Sequence, residues 1–138
     1  MARYLFTTWE GGGHVQPMML VARGLQARGH EVLLLSDICN APEAALMGLQ
    51  FRPWRHAPSR PDKAAASDLL RDWEADNPAE GIQRLCRRLI AGPAALYARD
   101  VLEALDSAPF DVVVAQELLF GPMMAAEAGS VPLALLCA

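Results

Sequence analysis

Three consecutive glycines and a histidine are the first residues in this sequence whose types and spacing could do chemistry. Gly11, Gly12, Gly13 and His14 lie between an apolar strand predicted over residues 4–8 and a helix with a proline in its first turn. A glycine loop before a helix presents free backbone N–H groups, which can bind an anion. A histidine at this place can act as a general base near neutral pH. Position alone is equally compatible with a helix-capping or merely exposed His14.

A second group of polar residues follows another predicted strand. Gln116 and Glu117 come directly after the strand predicted over residues 111–115. In a parallel sheet with the strand order 3-2-1-4-5, the loops after the first and fourth strands meet at the carboxyl edge, where ligands bind. Successive strand side chains point in opposite directions, so only one of these two residues is expected to face the crevice beside His14. Three apolar residues that suit a lipophilic ligand, or equally a core position, are predicted near this crevice: Trp9, Phe120 and Met123.

The alternation of strand-like and helix-like runs predicts an α/β fold. Five strands are predicted, over residues 4–8, 32–35, 49–53, 111–115 and 133–137. Residues 32–35 form a continuous apolar run, which is typical of a strand buried on both faces of a parallel sheet, whereas residues 49–53 read as a weaker, edge-like strand. The strand–helix–strand order implies right-handed crossovers, and therefore a doubly wound, Rossmann-like sheet.

Capping residues predict where several helices begin and end. Gly29 should end the first helix, and Asn40 and Asn77 should each cap a helix through a capping box. A further helix is predicted over residues 64–75. The sequence stops at a buried-type strand with no helix after it. Residues 1–138 are therefore expected to be one incomplete domain of a longer protein.

Composition excludes several classes of protein. Hydrophobic residues make up 53% of the 138 residues, which is ample for a folded core and rules out a disordered chain. The net charge of −4 disfavours a nucleic-acid binder. The cysteines are three widely spaced residues, Cys39, Cys86 and Cys137, which fit neither a disulfide framework nor a zinc site. No apolar run approaches a membrane span and no secretory signal is visible, so a cytoplasmic location is expected.

The glycine loop has two other interpretations. A dinucleotide-binding fingerprint would place a third glycine where Gln16 stands, with Asp37 as the acid that binds the ribose. That interpretation predicts the NAD(P)-binding domain of an oxidoreductase. Titration with NAD(H) or NADP(H) would then reveal tight binding of the dinucleotide. A non-catalytic, Rossmann-like binding module is the second alternative, and its function would survive the loss of His14.

Six stretches of the sequence resemble a known family. Residues 12–17, 22–25 and 28–32 are similar to the N-terminal signature of GT-B glycosyltransferases, which include aglycone, macrolide, sterol and UDP-dependent enzymes. Residues 48–53 are similar to the third strand of that family. Residues 111–114 and 126–132 resemble its fourth strand and the helix and strand that follow. The resemblance covers nearly the whole chain and implies the acceptor-binding, N-terminal domain.

The resemblance also implies a chemistry. Members transfer a sugar from a nucleotide-diphosphate donor to a hydroxyl of an acceptor, with inversion and without a metal or other cofactor. The histidine that matches His14 deprotonates the acceptor, and the glycine loop approaches the acceptor and the donor phosphates. The aspartate that supports this histidine is replaced here by Gln116, with Glu117 next to it. Because only a carboxylate offsets the imidazolium charge, Glu117 is the favoured partner of His14.

The family's donor-binding motif lies in a C-terminal domain that has no counterpart in residues 1–138. The resemblance therefore implies that this chain alone transfers no sugar. The expected partners are a small, lipophilic acceptor, a nucleotide-sugar donor and the C-terminal domain, with no nucleic acid and no membrane span. The sequence does not indicate an oligomeric state, a donor sugar or a particular acceptor.

Overall fold

The computed structural model describes residues 1–11 and 13–137 and contains one parallel sheet flanked by helices. Its strands are β1 (Arg3–Thr7), β2 (Glu31–Ser36), β3 (Gln50–Pro53), β4 (Val112–Gln116) and β5 (Leu133–Leu136). Its α-helices are α1 (Val15–Ala27), α2 (Ala41–Leu46), α3 (Pro78–Leu85), α4 (Ala94–Ser107) and α5 (Phe120–Ala128). The strand order is β3-β2-β1-β4-β5 with all pairs parallel, which confirms the doubly wound α/β prediction.

The central strand β1 is covered on both faces, whereas the edge strand β5 is largely exposed, with Leu133 at 40% and Leu135 at 50%. Leu5 and Phe6 are neighbours in β1 and are both fully buried, on opposite faces. Leu5 belongs to an apolar cluster with Val101 of α4, and Phe6 belongs to a second cluster with Met18 of α1. The central strand is therefore held between two helical layers, which keeps its carboxyl end in a constant position.

Two capping predictions are confirmed and one is wrong. Gly29 follows α1 with a φ of +87°, and the Asn77 side chain accepts a hydrogen bond from the backbone N–H of Glu80 at 3.0 Å. Asn40 does not cap α2: its side-chain NH2 group donates to the Ser36 hydroxyl at 3.0 Å, and its Oδ1 atom accepts no hydrogen bond from the described residues.

The prediction of a helix over residues 64–75 is wrong. This segment forms only two single turns of 3₁₀ helix, Ala65–Ser67 and Asp72–Glu74. Between them, the Asp68 carboxylate accepts hydrogen bonds from the backbone N–H groups of Leu70 and Arg71, at 2.8 and 2.9 Å. An aspartate that binds nearby N–H groups in this way competes with the helix for its donors. Arg71 itself has a φ of 50°, which a right-handed helix excludes.

The contact between α4 and α5 depends on a glycine. A Cβ atom at Gly121 would lie 2.4 Å from the Ala94 carbonyl oxygen and 2.5 Å from the Tyr97 Cβ. We expect Gly121→Ala to lower the free energy of unfolding by about 1–3 kcal/mol, because the two helices must separate. Gly81→Ala, in α3, is the matched control, because nothing lies within 4 Å of its added Cβ. Urea denaturation of both variants measures the difference, and equal stabilities would contradict the prediction.

Candidate active site

The end of β1 and the end of β4 lie side by side at the carboxyl edge of the sheet. Thr7 pairs with Ala115, so Thr8 stands beside Gln116 in the next position. The Thr8 hydroxyl donates to the Gln116 Oε1 atom at 2.7 Å, and the backbone N–H of Trp9 donates to the same oxygen at 3.4 Å. Gln116 is fully buried. This amide therefore ties the loop after β1 to the end of β4.

His14 is the residue immediately before α1. Its carbonyl oxygen accepts the hydrogen bond from the N–H of Met18 at 3.2 Å, so the helix holds its backbone in place. Its side chain makes no capping hydrogen bond. The residue is only 8% exposed, and within residues 1–11 and 13–137 neither ring nitrogen has a hydrogen-bond partner. The imidazole is therefore a buried polar group available for a further interaction.

Glu117 is the charged side chain that faces His14. Its Oε1 atom lies 3.5 Å from His14 Nε2. Strand β4 ends at Gln116, so Glu117 lies in the turn that follows and is free of the strand's alternation. Glu117 also accepts a hydrogen bond from the Cys137 thiol, and this contact raises the pKa of the thiol. The geometry thus brings Glu117, rather than Gln116, to the imidazole.

The glycine loop packs over a tryptophan. A Cβ atom at Gly11 would lie 2.0 Å from Cζ3 of Trp9, so only glycine lets the backbone pass over this indole. Gly13 has a φ of +76°, a conformation that also favours glycine. Gly12 lies outside the described residues. A cleft of about 210 Å³ opens beside the loop and is lined in part by Gly11, Gly13 and Lys63.

The three apolar residues predicted near the crevice lie in two different surroundings. Trp9 is only 3% exposed and belongs to the apolar cluster between the sheet and α4. Phe120 is 47% exposed and lines a cleft of about 390 Å³ between α5 and β5, together with Met123 and Leu133. Trp9 is therefore beneath the glycine loop, whereas Phe120 is at the surface.

Asp37 is buried and fully engaged with the backbone. Its two carboxylate oxygens accept hydrogen bonds from the N–H of Glu10 at 2.7 Å and from the N–H of Arg60 at 2.8 Å. Burial raises the pKa of this carboxyl, and the N–H donors oppose the shift. Sequence reasoning did not anticipate this role, in which Asp37 joins the loops that follow β1 and β3.

A second buried carboxylate holds the loop after β3 to α4. Asp100 accepts hydrogen bonds from three consecutive backbone N–H groups, those of residues 55–57, at 3.0–3.1 Å. His56 Nε2 lies 2.8 Å from Oε1 of Glu103 on the same helix. Ligand atoms of His56, Asp100 and Glu103 lie within 4.8 Å of one another, as in a metal site. Arg55 and Arg99 flank Glu103 at 3.8 and 3.5 Å, however, and their charges oppose a cation.

No helix among residues 1–11 and 13–137 is both long and apolar enough to span a membrane. No protein-family model matches the sequence. The chain is 29% identical, over 142 aligned residues, to the 4'-demethylrebeccamycin synthase of Lentzea aerocolonigenes. That alignment covers 96% of this chain and 31% of the synthase, so the chain spans about a third of the length of this relative.

Solved structures of glycosyltransferases have a similar fold. The glycosyltransferase SsfS6 of Streptomyces sp. SF2575 superposes with a TM-score of 0.73 at 20% identity, covering 99% of this chain and 39% of SsfS6. The same enzyme has been solved in complex with thymidine diphosphate. SnogD of Streptomyces nogalater superposes with a TM-score of 0.68 at 23% identity, covering 99% of this chain and 34% of SnogD. The chain therefore has the fold of the N-terminal half of a GT-B glycosyltransferase.

Proposed function

We propose that this chain is the acceptor-binding part of a glycosyltransferase, with His14 as its general base. The observation that carries the proposal is the buried His14 imidazole beside the Glu117 carboxylate, at the carboxyl edge of a sheet with the GT-B fold. Similarity over 96% of the chain to a synthase and over 99% to glycosyltransferase structures supports the same activity.

The proposed reaction is a single displacement at the anomeric carbon of a nucleotide-diphosphate sugar. His14 takes the proton of the acceptor hydroxyl while its oxygen forms a bond to the anomeric carbon. The bond from that carbon to the diphosphate breaks, and the nucleoside diphosphate leaves with the electron pair. One displacement inverts the configuration. The diphosphate complex of SsfS6 supports a donor of this class.

The His14–Glu117 pair suits this proton transfer. His14 Nε2 faces the carboxylate, so Nδ1 is the ring nitrogen left for the acceptor proton. The negative charge of Glu117 stabilises the imidazolium that forms as the proton arrives. The separation of 3.5 Å exceeds a hydrogen bond, and such contacts tighten when substrate binds. No metal or cofactor has a part in this mechanism.

The donor site and the rest of the catalytic centre are assigned to a part of the protein outside residues 1–138. This chain covers 30–39% of the kitacinnamycin glycosyltransferase and of SsfS6. We propose that residues 1–138 form the truncated N-terminal domain, that transfer requires the remainder, and that the enzyme works in the cytoplasm. The dinucleotide-binding alternative is less favoured, because both oxygens of Asp37 already bind backbone N–H groups.

Substitution of the carboxylate tests the proposal. We expect Glu117→Gln to lower kcat of the whole enzyme about tenfold to hundredfold, because a charge-assisted interaction with the imidazolium is lost. Turnover is measured as nucleoside diphosphate released from a dTDP-sugar in the presence of an aromatic or macrolide alcohol. KM for the acceptor should change much less than kcat.

Two further variants serve as controls for this experiment. Glu127→Gln makes the same change on the exposed face of α5 and should leave kcat unaltered. Gln116→Ala should cost less rate than Glu117→Gln, although it removes the bonds to Thr8 and Trp9 and lowers stability. A larger loss of kcat for Gln116→Ala, once folding is matched, would contradict the assignment of Glu117.

A further inference from the structure

The last residue before the glycine loop, Glu10, is held at both of its backbone polar groups. Its N–H donates to the Asp37 carboxylate at 2.7 Å, and its carbonyl oxygen accepts a hydrogen bond from Nη1 of Arg60 at 3.3 Å. Asp37 directly follows β2, whereas Arg60 lies in the connection after β3. Hydrogen bonds to charged partners are roughly twice as strong as those between neutral groups. Two charged side chains from separate segments therefore fix one peptide unit.

Arg60 is the centre of this network. Its guanidinium also donates to the Ala64 carbonyl oxygen at 2.9 Å and to the Asp68 carboxylate at 3.3 Å. Its backbone N–H donates to Asp37 at 2.8 Å, and its carbonyl oxygen accepts the N–H of Cys39 at 3.1 Å. Arg60 thus joins the start of the glycine loop to the end of β2 and to the long connection between β3 and α3.

The burial of Arg60 argues against a role in stability alone. The residue is only 9% exposed, and its Nε atom has no hydrogen-bond partner in the part of the chain that the structure describes. A buried cation has lost its hydration, and an apolar side chain of similar volume often leaves a protein equally stable or more stable. In some proteins, a buried ionic contact instead selects one conformation among several.

The glycine loop is a segment where such a selection matters. Glycine adopts positive and negative φ about equally readily, so a run of three glycines has many conformations available. Beyond the run, α1 holds the backbone of His14 through the hydrogen bond from the N–H of Met18. Before the run, Asp37 and Arg60 hold Glu10. The path of the loop is therefore fixed from both ends.

We propose that Arg60 is a positioning residue for the base, an inference that rests on the proposed function. Its guanidinium fixes the Glu10 carbonyl group, from which the chain enters the glycine loop. The loop leads to the His14 imidazole, whose Nε2 lies 3.5 Å from Oε1 of Glu117. Without the guanidinium the loop has more conformations, so the imidazole spends less time where it takes the acceptor proton. A misplacement of about 1 Å can cost about 100-fold in rate, even when the substitution is far from the reacting atoms.

A double-mutant cycle with the base tests this role. Arg60→Met removes the guanidinium and keeps an unbranched side chain, and we expect it to lower kcat of the whole enzyme about tenfold to hundredfold. KM for the acceptor should change much less. In the His14→Ala background, the same substitution should cost less than about twofold, because a residue that acts through the base then has nothing to position. Equal losses of kcat in the two backgrounds would overturn the inference.

Hydrogen exchange tests the anchor without turnover. We expect the Glu10 amide, which donates to Asp37, to exchange about threefold to tenfold faster in Arg60→Met, the equivalent of about one hydrogen bond. Mass spectrometry of overlapping fragments of the whole enzyme measures this rate. Unchanged exchange would overturn the inference even where His14 is the base. Full activity of His14→Ala would instead overturn the proposed function, so the two failures are distinct.

Two further variants complete the experiment. Arg55→Met makes the same change in the same connection, at a side chain that is 78% exposed, and should preserve both kcat and the exchange rate. Arg60→Lys keeps the charge but replaces the guanidinium fork by one nitrogen. We expect this variant to lose about threefold to tenfold in kcat, the equivalent of about one hydrogen bond. Arg60→Lys decides the question if urea denaturation shows Arg60→Met to be unfolded, and wild-type kcat of Arg60→Lys would then overturn the inference.

Discussion

We expect the His14→Ala variant of the whole enzyme to turn over about 10²- to 10⁴-fold more slowly than the wild type, the usual contribution of a general base. The imidazole is 8% exposed and faces a carboxylate, and alanine removes it as proton acceptor from this position. KM for the acceptor should change little, because the hydroxyl proton is transferred only in the transition state. Steady-state kinetics at saturating donor give both constants.

Two comparisons make this result specific. His30→Ala removes a histidine that accepts the backbone N–H of Ala2 at 3.1 Å and packs against Tyr4, outside the proposed site, and should preserve kcat. Added imidazole should restore part of the rate of His14→Ala, since the cavity left by the side chain can admit a free base. Near-full activity of His14→Ala would return His14 to a structural role and favour the non-catalytic binding module.

The largest expected effect on stability is at Asp100. Alanine there leaves the three backbone N–H groups of residues 55–57 buried or half-buried without their acceptor. Each unmade bond costs about 1–3 kcal/mol, so we expect Asp100→Ala to lower the free energy of unfolding by about 3–5 kcal/mol. This is a large part of the stability of an ordinary domain. Urea denaturation followed by circular dichroism measures it.

Asp106→Ala is the matched control for Asp100→Ala. Asp106 lies on the same helix and is exposed, so its removal should change the free energy of unfolding by less than about 0.5 kcal/mol. Asp100→Asn keeps one acceptor oxygen, so its loss of unfolding free energy should lie between the losses of Asp100→Ala and Asp106→Ala. A loss below about 1 kcal/mol for Asp100→Ala would mean that water satisfies the loop equally well.

Much of the fold follows from the pattern of apolar residues. The continuous apolar run 32–35 predicts a strand buried on both faces, and the structure confirms it, with Leu34 in one apolar cluster and Leu35 in the other. The helix predicted over residues 64–75 does not form because Asp68 accepts hydrogen bonds from backbone N–H groups that a helix would use. Composition does not reveal that competition, because it depends on whether the carboxylate can reach free backbone N–H groups nearby.

Less of the candidate site could be predicted. Strand order alone places the loop that carries His14 next to Gln116 and Glu117. Which of these two faces the imidazole depends on whether β4 ends at residue 116 or 117, and strand ends are poorly determined by sequence. The tie between Asp100 and residues 55–57 joins a side chain to backbone groups more than forty positions away, and no local pattern encodes it.

The strand order has a consequence for synthesis of the chain. Thr7 of β1 pairs with Leu35 on one side, 28 positions away, and with Ala115 on the other, 108 positions away. Ribosomes deliver the near partner first, so β1, β2 and β3 can assemble while β4 is still unmade. Until residue 116 emerges, one edge of β1 carries open backbone groups, a template for pairing with a neighbouring nascent chain. Slow translation between residues 54 and 111 would lengthen that exposure.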